Sequence, residues 1–100
     1  MISVIQGDSI DELVIVESGA DLIEELWFSC KHLGISKPLP KENETTYILS
    51  FSPQMTKDWP VSNTTYDITV ILKGDQRRTP VYNDRLRVLK KENTIDGNQD

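Results

Sequence analysis

His32 is the one histidine in a chain of 100 residues, and acid–base or nucleophilic chemistry would most readily gather around it. It stands between Lys31 and Leu33 at the end of an alternating stretch, where a structural histidine is expected rather than a catalytic one. Cys30 is the single cysteine, so no internal disulfide can form. Thiolate metal sites draw their ligands in groups, which leaves Cys30 as a small core residue. Carboxylates are plentiful, yet none falls in the Asp-rich loop of a calcium site. Gly34-Ile35-Ser36-Lys37 lacks the leading glycine spacing of a phosphate loop, and the sequons at Asn43 and Asn63 are a pattern common by chance. The expectation is therefore no catalytic residue, no metal and no cofactor: a protein that is not an enzyme.

Residue types suited to recognition are better represented. Arg78, Arg85 and Arg87 are expected on one outward face near the end of the chain, with Tyr82 beside them and Trp59 in a connection, either as a core lid or as an exposed contact. Arginine and tyrosine are favoured interface anchors, which makes these five the candidate contact residues. Trp27, Trp59 and Tyr82 offer a second possibility, a flat ring presented to a glycan. The net charge of −5 argues against nucleic acid, whose phosphates demand a basic surface. Asp8, Asp11, Glu12, Glu17, Asp21, Glu24 and Glu25 precede Leu26 with no Lys or Arg among them, an acidic edge able to steer copies of the chain into a homo-oligomer.

These side chains need elements to hold them. Tyr66, Ile68, Val70 and Leu72 alternate with Asp67, Thr69 and Lys73, the period of a strand with one buried face. Gly74-Asp75 and Asn83-Asp84 fit the centres of two tight hairpin turns. Two-residue loops there pair Val70 with Thr79 and Ile68 with Val81, then Val81 with Leu86 and Thr79 with Val88, keeping one apolar face continuous over three strands. Pro80 removes a ladder hydrogen bond in that scheme and predicts a bulge or a locally unpaired edge.

Upstream, Met1 to Gln6 and Ile10 to Val16 read as one edge strand interrupted by Gly7-Asp8. Asp21 to Glu25 has some helical propensity, but the alternation of Leu26, Phe28 and Cys30 favours a strand. Gly34 to Glu44 is a loop with a short edge piece near Lys37 to Leu39, and Thr45 to Ser52 is a strand through Tyr47, Leu49 and Phe51. Ser52-Pro53 has the form of an N-cap and first helical residue, and Trp59-Pro60 ends that helix within a turn or two.

Short strands with turn signals and almost no helix predict an all-β fold, an immunoglobulin-like antiparallel β-sandwich of about seven strands with one short helical turn. One domain spans 1–92, and the polar residues 93–100 form a disordered tail. Its core takes Leu26, Phe28, Leu49, Phe51, Ile68, Val70, Leu72, Val81, Leu86 and Val88. No 18-residue apolar run and no signal-peptide pattern occurs, so a soluble, unprocessed chain without membrane contact is expected.

Gln6-Gly7-Asp8-Ser9, Ala20 to Glu24 leading into Trp27 to Lys31, Tyr47 to Ser52 with Thr56, Tyr66 to Val70, and Thr79-Pro80 before Leu86-Arg87-Val88 carry a resemblance over nearly the whole chain. The chain resembles a family of small immunoglobulin-like β-sandwich proteins of tailed phages and prophages of Gram-positive bacteria, and is similar to the N-terminal domain of baseplate upper proteins. The resemblance implies a non-catalytic virion structural or assembly protein, made in the bacterial cytoplasm and bound to other phage structural proteins or to copies of itself. A carbohydrate-binding or adhesion module presenting exposed aromatics is the alternative.

Overall fold

The computed structural model describes residues 1–91. Its strands are β1 (Ile2–Ile5), β2 (Ile10–Ile15), β3 (Ile23–Cys30), β4 (Ile35–Pro38), β5 (Thr46–Phe51), β6 (Ser62–Leu72) and β7 (Arg78–Leu89). A 3-10 turn at Ala20–Leu22 precedes β3, and one helical turn, α1 (Pro53–Thr56), follows β5. A five-stranded sheet in the order β1-β7-β6-β3-β4 packs on a two-stranded sheet of β2 and β5. The fold is the expected all-β sandwich.

The alternation read in the sequence becomes burial. Tyr66, Ile68 and Val70 of β6, Leu26, Phe28 and Cys30 of β3, and Tyr47, Leu49 and Phe51 of β5 all face the space between the sheets. Phe51 meets Phe28 edge-on at 5.1 Å and Trp59 at 5.1 Å, while Tyr66 stacks on Phe28 at 5.3 Å. Such pairs add about 0.5 to 1.5 kcal/mol each beyond their buried area. The side chain of Ser52 accepts from the Met55 amide at 3.3 Å and Pro53 opens α1, the capping its sequence calls for.

The β6–β7 hairpin follows the expected register up to Thr69 opposite Pro80, although its loop opens to five residues, 73–77. Beyond it the pairing slips by one. Thr69 faces Pro80 and Ile68 faces Tyr82, so Val81 is an extra residue bulged from the ladder. Pro80 also lies clear of β1, which pairs with β7 only from Leu86 to Leu89, and both outcomes expected of that proline occur together.

Several expectations are corrected. Asn83-Asp84 is no turn, because β7 runs through it without interruption. Leu86 and Val88 are fully buried, but opposite Thr64 and Ser62 rather than folded back on Val81 and Thr79. Val81 leaves the core at 58% exposure through the bulge, and Leu72, the last residue of β6, leaves it at 42%. The chain from Met1 to Val16 is not one strand: positive φ at Gly7 lets the backbone cross between sheets, β1 joining β7 in parallel and β2 joining β5. The tail expected over 93–100 lies outside the described residues.

Candidate functional site

Five strands facing two leave part of the inner sheet surface uncovered. Backbone from Pro40 to Glu42 runs along the far side of β5, where Pro40 accepts from the Ile48 amide at 2.8 Å. Strand β2 therefore forms the edge of the short sheet among the described residues. Beside that edge, between β2 and the inner face of β6 and β7, lies an open cleft of about 680 Å³.

The register assigns the cleft two ends of different chemistry. At one, Tyr66 pairs with Asp84 and Ile68 with Tyr82, and the alternation that buries Leu86 and Val88 turns Tyr82 and Asp84 inward too. The Tyr66 and Tyr82 rings lie 6.4 Å apart and are tilted by 55°. The Tyr82 hydroxyl donates to Asp84 Oδ2 at 3.0 Å, and the α-ammonium of Met1 sits 2.6 Å from the same oxygen. Glu12 points in from β2, in register between Ile10 and Val14. At the other end the lining includes Leu22, Ile23, Val70 and Leu72, with Ile15 and Val16.

The ionisable groups record this neighbourhood. Burial pushes the Tyr66 hydroxyl up to about 12, helped by Tyr82 and by the carboxylates of Asp84 and Glu12. Asp84 is held down at about 2 by the hydrogen bond from the terminal ammonium, then by the Arg85 amide and the Tyr82 hydroxyl. Its hydrogen bond to Asp84 likewise raises Tyr82. At neutral pH the cleft presents two intact phenols and an ionised Asp84.

The candidate contact residues divide. Arg78, Arg85 and Arg87 do share the outward face of β7. There the Arg78 guanidinium covers the Trp27 ring at 4.5 Å and donates to Ser36 Oγ at 3.0 Å, while Arg85 donates to Asn63 Oδ1 at 3.2 Å. Tyr82 is not beside them, because the Val81 bulge turns it to the opposite face of the sheet. Trp59 is not a contact residue at all: it is 7% exposed, packed on Phe51. His32 is exposed in the turn between β3 and β4. In the sequence Glu12, Tyr66 and Asp84 read as parts of an acidic edge, a buried strand face and a turn, with no ligand contact assigned to them. Glu12 and Asp84 are carboxylates standing in register with core positions, a signal that the assumed turn at Asn83-Asp84 concealed for Asp84.

The architecture defines a class, a two-sheet β-sandwich whose shorter sheet leaves an open lateral cleft. No family model and no curated protein matches the chain. Among solved structures it is similar to an endo-β-1,4-mannanase from Thermotoga petrophila, with a TM-score of 0.66 at 9% identity over 91% of this chain. The chain spans 18% of the length of that enzyme, so the likeness is to one part of a larger protein and concerns the fold. This finding overturns the expectation of a phage or prophage tail or baseplate assembly protein, since a solved structure similar to the sandwich is a mannanase.

Proposed function

We propose that this chain is a non-catalytic carbohydrate-binding module that receives a neutral glycan at the tyrosine end of the cleft. The observation that carries the reading is the exposed Tyr82 ring, backed by the buried Tyr66 and held beside ionised Asp84, in an open cleft that Glu12 also lines. A pyranose has apolar C–H faces that lie well on aromatic rings, and hydroxyls that donate strongly to carboxylates. An acidic site on a chain of net charge −5 disfavours anionic sugars. The likeness in fold to an endo-β-1,4-mannanase supports a role beside glycan chemistry.

The electrostatics of Asp84 suit an acceptor for sugar hydroxyls rather than a general acid. Glycoside hydrolysis requires a carboxyl that stays protonated near neutrality, which needs a raised pKa. Asp84 is driven the other way, to about 2, by three donors.

Calorimetric titration with β-1,4-linked manno-oligosaccharides and a panel of other neutral oligosaccharides tests the proposal. Binding to at least one member is expected, with Tyr82→Ala weakening it roughly tenfold, the upper worth of one aromatic contact. Tyr82 is 54% exposed, so its removal leaves the core intact. No heat of binding to any member at millimolar ligand would end the reading.

A further inference from the structure

Two carboxylates line the tyrosine end of the cleft, and the hydrogen bonds made there treat them unequally. A carboxylate offers about four acceptor positions. At Asp84 three are taken: Oδ2 accepts from the Met1 ammonium at 2.6 Å and from the Tyr82 hydroxyl at 3.0 Å, and Oδ1 accepts from the Arg85 amide at 2.7 Å. One is left for a ligand. Glu12, on the facing wall, is exposed, and neither of its oxygens has a donor or an ion-pair partner among the described residues. Its charge reaches the Tyr66 hydroxyl, which puts it at the same end of the cleft. The bond at Asp84 also acts on the ring. Tyr82 is 54% exposed, and a ring so open changes rotamer freely unless its tip is tied. Asp84 stands two residues along β7 on the same side of the strand, so the tie comes from the strand that carries the ring. A loose ring would lose its freedom on meeting a sugar, at a cost of roughly two- to tenfold in affinity.

We infer that the two carboxylates divide the work: Asp84 is chiefly a positioning residue that fixes the Tyr82 ring, and Glu12 is the specificity-determining group that takes the hydroxyls of the bound sugar. The inference rests on the carbohydrate reading and assigns the roles within that site. The sugar lays a C–H face on Tyr82 and turns a hydroxyl-bearing edge toward β2, where both oxygens of Glu12 are free to accept.

The test titrates the tightest-binding oligosaccharide of the panel into the full chain carrying Tyr82→Phe, Asp84→Ala and Glu12→Ala, singly and in pairs. Tyr82→Phe and Asp84→Ala should each weaken binding roughly two- to tenfold, and together no more than about twofold beyond the larger single effect, because both cut the same tie. Glu12→Ala should weaken binding about tenfold or more, and by the same factor with or without Tyr82→Phe. Three-bond couplings to the β-protons of residue 82 should show one rotamer in the unaltered chain and averaged rotamers in both Asp84→Ala and Tyr82→Phe. Circular dichroism establishes that each variant is folded. If Asp84→Ala weakens binding equally with and without Tyr82→Phe, or leaves the ring in one rotamer, Asp84 acts on the sugar itself and the division is wrong while the carbohydrate reading stands. Full affinity in Glu12→Ala would overturn the other half of the inference in the same way. Failure of the unaltered chain to bind any member of the panel would remove both readings.

Discussion

Two buried threonines show how the same side chain acquires opposite meanings from its partners. Thr56 is fully enclosed, and its hydroxyl donates to the Asp8 carbonyl at 2.6 Å while accepting from the Gly7 amide at 3.1 Å. It ties α1 to the turn where the chain crosses from one sheet to the other. Thr56→Val keeps the shape but removes the partner of a partly buried amide and carbonyl, an expected cost of about 1 to 3 kcal/mol in all. A urea melt should show a loss in that range. Thr69 is 7% exposed on the outer side of β6, between Trp27 and Pro80, and its hydroxyl has no partner among the described residues. Thr69→Val removes a desolvated hydroxyl and keeps the β-branched shape, so the expected change is from zero to about 1 kcal/mol of added stability. A measured loss above that margin would show that the hydroxyl is satisfied after all.

At the scale of elements, legibility ended where pairing had to be counted across a break in the ladder. Alternation alone located β3, β5 and β6, and Ser52-Pro53 marked α1. Pro80 announced an irregularity without saying which way the strand would slip, and that one residue decides whether Val81 or Tyr82 faces inward. The parallel union of β1 with β7 joins Ile2 to Leu86, from opposite ends of the chain, and no local pattern encodes it. The cleft was hidden for the same reasons, since it needs β1 and β2 in different sheets and Asp84 within a strand.

The bulge makes a testable pair of deletions. Without Val81, Pro80 still faces Thr69 and Tyr82 still faces Ile68, so β7 alternates regularly and Asp84, Leu86 and Val88 keep their places. Without Asn83 the bulge also closes, but Val81 now faces Ile68 and Tyr82 turns outward. Both deletions should leave a folded sandwich, because Leu86 and Val88 stay buried in either. Glycan binding should survive the loss of Val81 and weaken with the loss of Asn83 as it does in Tyr82→Ala. Equal binding by the two deletion variants would refute the assignment of Tyr82 to the cleft.

For the whole molecule, the cleft couples stability to pH at both extremes. Tyr66 ionises at about 12 in the fold against 10 for a free phenol, because burial and neighbouring carboxylates disfavour its anion. The folded state thus holds that proton more tightly than the unfolded chain does. Its contribution is complete below pH 10 and fades as pH rises from 10 through 12. Asp84 works in the opposite sense: held at about 2 against 3.8, it contributes fully above pH 4 and loses that contribution as pH falls toward 2. The two shifts together predict a stability plateau between about pH 4 and 10 with a decline on either side. Urea midpoints across pH 2 to 12 measure it, and absorbance at 295 nm follows the phenol directly. Tyr66→Phe should abolish the part of the alkaline decline between pH 10 and 12 while leaving the acid limb, because the ammonium, the Arg85 amide and the Tyr82 hydroxyl still hold Asp84. An unchanged alkaline limb in Tyr66→Phe would mean that another group carries it, and that Tyr66 is not enclosed by Tyr82, Asp84 and Glu12 as the cleft requires.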